Sequence, residues 1–381
     1  MIPIDYAMLR LIWWALLGVL LIGFAVMDGF DLGAAVLQPF VARTDIEKRM
    51  LLNSIGPVWE GNQVWFILGG GAAFAAWPPL YAVSFSGFYL AMFLVLAALI
   101  LRPVAFTFRS KLEDPTWRRI WDWAFFVSGI VPALVFGVAF GNLFLGVPFH
   151  FDDTLRVTYE GGLLGLLNPW ALLCGLVSAA MLAMHGGAWL AFKTEGALAR
   201  RARWAASWAA IAVIVLFSLA GLWLAYGIDG YAIQGAIDHA APSNPLNKSV
   251  VRTAGAWLSN YRTFPLVIAA PALAYLGTAL TWLLMRVERR LAAFITSGCG
   301  IAGIVATAGL SLFPFLLPSS LDPRSSLTVW DASSSQTTLF IMLIATLIFL
   351  PIVILYTGWI FHVLRGPVTA EAIARDEHAL Y

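Results

Sequence analysis

The chain has 381 residues, of which 61% are hydrophobic and 12% are Asp, Glu, Lys or Arg, and its formal net charge is +2. A charged share about half that of soluble domains marks an integral membrane protein, and so small a net charge gives no footprint for nucleic acid or for an acidic partner. Two cysteines, Cys174 and Cys299, both within apolar stretches, exclude a disulfide framework and a cysteine metal motif.

A membrane-crossing helix needs about 20 predominantly apolar residues. Nine segments meet that need: 9–38, 52–77, 80–102, 120–145, 165–191, 204–226, 263–285, 291–317 and 337–363. The expected fold class is therefore all-α, with residues 1–381 forming a single polytopic membrane domain of about nine transmembrane helices. The first segment is too long for a signal-peptide core and runs on into acidic residues without a small-residue cleavage site, so it is expected to stay as a helix. The second is interrupted by Pro57, which removes the hydrogen bond to the Asn53 carbonyl and predicts a kink.

Orientation follows from the basic residues. Alternation over nine segments gathers 17 of the 23 Lys and Arg on one side, from Arg43 and Lys48 through Arg102, Arg109, Arg118, Lys193 and Arg201 to Arg365. The remaining six, Arg10, Arg156, Lys248, Arg252, Arg262 and Arg324, fall on the other. The amino terminus is then periplasmic and Tyr381 cytoplasmic. Trp117, Trp121, Trp123, Trp204 and Trp208 on the inner side, and Trp13, Trp14 and Trp77 on the outer, fit interfacial aromatic belts. The longest polar pieces, 146–164, 227–262 and 318–336, are outer loops dense in turn-forming Ser, Pro and Asp.

The residues that do not belong in hydrocarbon are acids. Gly23-Phe24-Ala25-Val26-Met27-Asp28-Gly29-Phe30-Asp31-Leu32-Gly33 places Asp28 and Asp31 three apart, on one face of a helix, with Gly29 and Gly33 forming a smooth strip for a neighbouring backbone. Glu60 follows in Trp59-Glu60-Gly61-Asn62-Gln63-Val64-Trp65. At 1.5 Å per residue it lies about 12 Å in from the inner side, deeper than the aspartates. Acids in spanning helices are costly and mark function or a partner. Buried carboxylates with Asn62 and Gln63 beside them suit a proton relay, and the same groups suit the ion site of a proton-coupled secondary transporter. For Asp31, the alternative is a side chain that snorkels to a nearby membrane face.

Other chemistry is poorly provided for. Of five histidines, His150 and His239 lie in outer loops and His378 in the tail. His185 and His362 are the pair able to form a bis-His haem site, with Met181 and Met184 nearby, and a hydrogen-bonded role is the alternative for each. No His, Cys or carboxylate cluster suggests a metal, and no phosphate-binding motif is present. Gly69-Gly70-Gly71 reads as a packing surface.

Taken together these residues form a signature. Ile12-Trp13-Trp14, Gly23-Phe24-Ala25-Val26 with Asp28-Gly29-Phe30-Asp31, Glu60-Gly61-Asn62-Gln63-Val64-Trp65, Phe74-Ala75-Ala76-Trp77-Pro78, Arg102-Pro103-Val104, Gly137-Val138-Ala139-Phe140-Gly141-Asn142 and Trp330-Asp331-Ala332-Ser333-Ser334-Ser335-Gln336 recur in order along the chain. By them the chain resembles subunit II of cytochrome bd-type ubiquinol oxidases from end to end. The resemblance implies a bacterial inner-membrane heterodimer with subunit I, which carries haem b and haem d, oxidises ubiquinol and reduces dioxygen to water. Protons would come from the cytoplasm through Asp28, Glu60 and Asp31, supported by Asn62, Gln63 and Arg102, so that turnover builds a membrane potential. Many relatives carry Asp where this chain has Glu60, which lengthens the reach of that acid. The stretch around Trp65 would help line a dioxygen route. This chain would bind no haem or metal itself. The resemblance leaves open small accessory subunits, a quinone bound in this subunit, and membership of the cyanide-insensitive branch of the family.

Overall fold

The computed structural model describes residues 2–375, so the predicted placements of His378 and Tyr381 lie outside it. Fifteen α-helices account for most of the chain: α1 Tyr6–Met27, α2 Gly29–Val41, α3 Asp45–Ile55, α4 Trp59–Ala76, α5 Pro78–Gly87, α6 Tyr89–Phe108, α7 Pro115–Leu145, α8 Leu163–Leu166, α9 Pro169–Lys193, α10 Gly196–Gly227, α11 Ser259–Thr263, α12 Ala269–Arg286, α13 Arg290–Leu312, α14 Gln336–Val363 and α15 Ala370–Arg375. Local chemistry sets many of their starts. Asp5, Asp114, Asn168 and Ser335 each accept a first-turn backbone N–H, Pro115 and Pro169 occupy first helical positions, and Thr44 with Glu47 closes a capping box on α3.

Among the described residues eight helical stretches are long and apolar enough to cross a membrane, α1 and α2 together forming the first. The predicted segment 52–77 is different. It is two helices, α3 and α4, and the kink expected at Pro57 is a full break across residues 56–58. The segment predicted at 80–102 is also displaced. Pro78 and Pro79 start the short α5, a break follows at Phe88, and the long helix is α6 with its end at Phe108. Arg102, counted from sequence among the inner-side bases at the end of that segment, therefore lies inside the bundle and is fully buried. Arg10, counted as an outer base, is likewise buried within α1.

Helix α9 is the centre of the bundle, packed by α2, α7, α10 and α13. Its approach to α2 is a backbone contact: a Cβ on Gly33 would stand 1.8 Å from the Leu182 carbonyl oxygen, and one on Gly186 2.3 Å from Ala34 N. The predicted Gly29–Gly33 strip thus packs on α9, where small residues give the van der Waals contact that drives association in lipid. Gly70 and Gly71 meet nothing within 4 Å, so the Gly69–Gly71 run lies mostly on an open face rather than in a tight crossing. Helix α14 is peripheral, with few buried residues.

The polar pieces expected as outer loops gather at one end as three antiparallel hairpins: β1 Phe149–Phe151 with β2 Val157–Tyr159, β3 Asp229–Gln234 with β4 Ser249–Ala254, and β5 Phe315–Leu317 with β6 Leu327–Thr328. Arg10 ties this end together. Its guanidinium donates to Ser333 Oγ at 2.7 Å and to the His239 and Ala241 carbonyls at 2.5 and 3.0 Å. Lys248 and Asp331 pair there at 2.8 Å; burial pushes the lysine down and the aspartate up, so desolvation outweighs their attraction. Trp13 and Trp77, expected in an aromatic belt, are core residues here, whereas Trp123, Trp204 and Trp208 are exposed as a belt requires. At the opposite end Asp122 accepts from Lys48 at 2.8 Å, Arg109 at 2.6 Å and Gln38 at 2.7 Å, and Arg109 also holds Asp45 at 2.9 Å. Lys193 Nζ donates to the Leu364 and Gly366 carbonyls, which fastens the segment after α14 beneath the bundle.

Candidate functional site

The first membrane stretch is not one helix. Asp28 separates α1 from α2 while keeping right-handed helical dihedrals (φ −79°, ψ −18°); its N–H donates to the Phe24 carbonyl and its own carbonyl accepts from Leu32 N, each at 3.0 Å. The two aspartates, at and just beyond this break, turn toward different neighbours. Asp28 reaches α6, where Arg102 Nη1 donates to Oδ1 at 2.5 Å and Nη2 to Oδ2 at 3.4 Å, with both side chains 1% exposed. Asp31 reaches α4, where Asn62 Nδ2 donates to its Oδ2 at 2.8 Å.

Burial decides what these groups can do. Asp31 is 0% exposed, close enough to feel both Asp28 and Arg102, and its Oδ1 has no hydrogen-bond partner among the described residues. The reading of Asp31 as a snorkelling residue at a wet face is therefore corrected. The site holds two carboxylates, one guanidinium and one amide. With both acids ionised it would carry an uncompensated negative charge out of water, which is expensive. The bidentate pair fixes Asp28 as the charged partner of Arg102. A proton on Asp31 Oδ1 makes the cluster neutral, so Asp31 is the group placed to gain and lose one.

The remaining predicted residues divide. Asn62 is buried in this cluster, as is Arg102. Glu60, expected to be the deepest acid, is instead exposed on the flank of this chain in the first turn of α4, without a hydrogen bond or ion pair among the described residues. Glu60 stands two residues before Asn62 on one helix, so it points to the side opposite the residue that meets Asp31. Gln63 is half-buried and, among the described residues, also makes no side-chain hydrogen bond. Trp65 lies flat over Gly23, where a Cβ would meet its ring at 2.4 Å. The apolar space nearby is lined by its neighbour Phe66: a cavity of about 230 Å³ bounded by Phe24, Phe66, Phe136, Phe144, Trp170 and Met181. Such a cavity, almost without polar lining, stays dry and accepts apolar guests.

The bis-His alternative fails on geometry. His362 is exposed at the end of α14. His185 is fully buried, with Nε2 2.9 Å from the Val26 carbonyl oxygen and Nδ1 2.7 Å from Ser297 Oγ, so neither nitrogen is left for iron. Among the described residues no group of three or more His, Cys, Asp or Glu is placed to hold a metal ion. The partnership of Arg102 with Asp28 went unread in the sequence because the third segment, read as 80–102, put Arg102 at its inner end; Pro78-Pro79 as a helix start was the signal that the long helix begins later and runs on to Phe108.

Comparison with known proteins was made on this background. The chain is 52% identical to cytochrome bd-I ubiquinol oxidase subunit 2 of Escherichia coli (strain K12), over 99% of this chain and 100% of that one. It is 50% identical, over the same shares, to the probable cytochrome oxidase subunit 2 of Haemophilus influenzae. Its fold matches a chain of the bd oxidase structure from Geobacillus thermodenitrificans with a TM-score of 0.70 at 17% identity, covering 93% of this chain and 98% of that chain. The model of the family described as cytochrome bd terminal oxidase subunit II matches residues 9–364. An acid-bearing helix break inside an all-helical membrane fold thus sits in a sequence that matches one family along nearly its whole length, and the chain belongs to the cytochrome bd terminal oxidase subunit II family.

Proposed function

We propose that this chain, acting as one polytopic domain of a bacterial inner membrane, is the proton-supplying subunit II of a ubiquinol oxidase. Its partner is subunit I, which carries haem b and haem d, takes electrons from ubiquinol and passes them to dioxygen. What supports a haem-free role for this chain is that His185, the one buried histidine among the described residues, has both ring nitrogens committed. The termini are assigned as before, amino end periplasmic and carboxyl end cytoplasmic. The hairpin end is then periplasmic and the end holding Asp122, Arg109 and Lys48 cytoplasmic, as the excess of bases on that side favours.

Reduction of dioxygen to water consumes protons, and the path assigned to them here runs through Asp31. The single observation that carries this reading is the free Oδ1 of a fully buried Asp31 beside a closed Asp28–Arg102 pair. In each cycle Asp31 takes a proton on that oxygen, losing its charge, and releases it onward. Asn62 holds the other oxygen throughout, and Arg102 with Asp28 keeps the local field constant. Glu60 is the feeder. It stands on the exposed flank of α4 among Val64, Ile67 and Leu68, a face a soluble surface would not present and one that a neighbouring membrane subunit covers. The apolar cavity beside Phe24 and Phe66 is the part of this chain suited to admit dioxygen, with Trp65 closing the helix contact next to it rather than lining it. Purification through a tag on this chain tests the assignment. A haem-rich complex that consumes oxygen with ubiquinol is expected, and a colourless protein active alone would contradict it.

A further inference from the structure

We propose that the arginine cluster where α10 starts and α12 turns into α13 is a headgroup site for an anionic phospholipid of the adjoining membrane leaflet. The site is independent of the proton path and lies on a different side of the bundle. Arg286 ends α12 and Arg290 opens α13, so residues 286–290 form one tight turn. Arg289 N closes it on the Leu284 carbonyl and Arg290 N on the Glu288 carbonyl, each at 3.0 Å. Three guanidinium groups thus leave five consecutive residues. Arg203 of α10 reaches this turn through an ion pair with Glu288, and Arg200 stands one helical turn before it on α10. Five cations therefore meet one carboxylate. Arg200, Arg286 and Arg289 are exposed and Arg290 is half-buried, and among the described residues none of these four has an ion-pair partner. Orientation in the membrane needs only an excess of bases on one face, which scattered ones would meet; here they converge on one corner.

The surroundings of the cluster are those of a lipid. Trp204 and Trp208 are exposed one turn apart on α10, with ring centroids 5.7 Å apart, and the Arg286 guanidinium lies over the Trp282 ring at 4.1 Å. Indoles so placed mark the headgroup level of a bilayer. Beyond them each helix carries an exposed apolar stripe, Ile211 and Val215 on α10 and Leu276, Leu280 and Leu283 on α12. The two helices pack on each other, so acyl chains lying along these stripes bring their phosphate to the arginines. Guanidinium groups match a phosphodiester through paired N–H donors, and a basic cluster between helix ends at a membrane face is the arrangement that holds anionic headgroups. The flank assigned to subunit I is elsewhere. It belongs to α4, which packs on α1, α5 and α14, whereas α10 packs on α9 and α12, and α12 on α13.

The test uses the intact haem-containing complex in non-ionic detergent, titrated with mixed micelles of phosphatidylglycerol or phosphatidylcholine, with retained lipid counted by native mass spectrometry. The parent should retain phosphatidylglycerol in preference. Arg286→Gln, Arg289→Gln and Arg290→Gln together should weaken that retention about tenfold or more. Lys111→Gln, Arg119→Gln and Arg365→Gln remove the same charge from exposed bases elsewhere at this end and should leave it within about twofold of the parent. Arg286→Lys, Arg289→Lys and Arg290→Lys together keep the charge but lose the planar fork, and should fall between parent and the first triple. If the first triple fails to assemble, this lysine triple decides, with parental retention counting against the site. Equal losses in the two glutamine triples, or no preference for phosphatidylglycerol in the parent, would overturn the proposal. Inorganic phosphate competing as well as phosphatidylglycerol at equal concentration would assign the corner to a free anion. A further polypeptide that leaves the complex with the first triple would assign it to a protein, and either result overturns the lipid site.

Discussion

Replacing Arg102 by methionine removes the one cation from a pair whose two side chains are each 1% exposed. The Asp28 carboxylate is left in low-dielectric surroundings with no counter-charge, and breaking a buried pair from one side destabilises by about 3–5 kcal/mol. At about 1.4 kcal/mol per tenfold, that shifts the balance between assembled and disrupted chain by roughly two to three and a half orders of magnitude. Asp28→Leu also breaks the pair, but Asp31 remains close enough to balance the guanidinium, so it should cost less than Arg102→Met. The double variant Asp28→Leu with Arg102→Met removes both charges and fills the space with apolar atoms, which in buried pairs is often neutral or better. The cycle is read from the haem-containing complex surviving graded heating in detergent, in the parent, both singles and the double. Arg102→Met should fall sharply, Asp28→Leu less, and the double should recover most of the loss, a large coupling of opposite sign to the single effects. A methionine variant as robust as the parent, or a double as poor as the two singles combined, would refute the claim that these residues form one charge-balanced unit.

Two further outcomes follow from other parts of the fold. Gly33→Ala drives a Cβ to 1.8 Å from the Leu182 carbonyl, so α2 and α9 must separate; the thermal midpoint of the complex should fall by the equivalent of about 3 kcal/mol or more, while Gly309→Ala, with nothing within 4 Å, should leave it unchanged. Burial pushes the Glu47 carboxyl up, but the Arg201 guanidinium 2.6 Å away and the N–H groups of Arg43 and Thr44 outweigh it and hold it below the usual glutamate range. A depressed folded value adds stability that is present above the unfolded value of about 4.3 and lost as the pH falls through the folded one. Thermal midpoints of the parent and of Glu47→Gln should therefore differ near pH 7 and converge below about pH 4.

Much of the fold was legible because hydrocarbon leaves so few options. Long apolar runs bounded by Asp-Pro and Asn-Pro caps had to be helices. The acids at 28, 31 and 60 stood out for the same reason. What the sequence hid was the breaks. Residues 80–88 read as part of a spanning helix because they are apolar, yet they belong to the separate short helix that Pro78-Pro79 begins, and the resulting shift concealed that Arg102 faces Asp28. Pro57 looked like a kink and is a break, and Glu60 just after it lies on the flank, on the helix side opposite Asn62. The contacts of His185 were out of reach in principle. Its partners Val26 and Ser297 are 159 and 112 residues away, and nothing in the local sequence of α9 marks a side chain that bonds a carbonyl on another helix.

The central claim is that a proton rides on Asp31. Asp31→Asn keeps the shape of the side chain and a partner for Asn62 but cannot take up or release a proton. It removes half of the like-charge pair without disturbing Asp28 and Arg102, so assembly and haem content should stay near those of the parent. Oxygen consumption per haem with ubiquinol as donor is the deciding measurement. A fall of about tenfold or more at normal haem content is the predicted result, on the scale at which losing a positioned proton-transfer group slows an enzyme. Turnover per haem equal to the parent across the working pH range would contradict it.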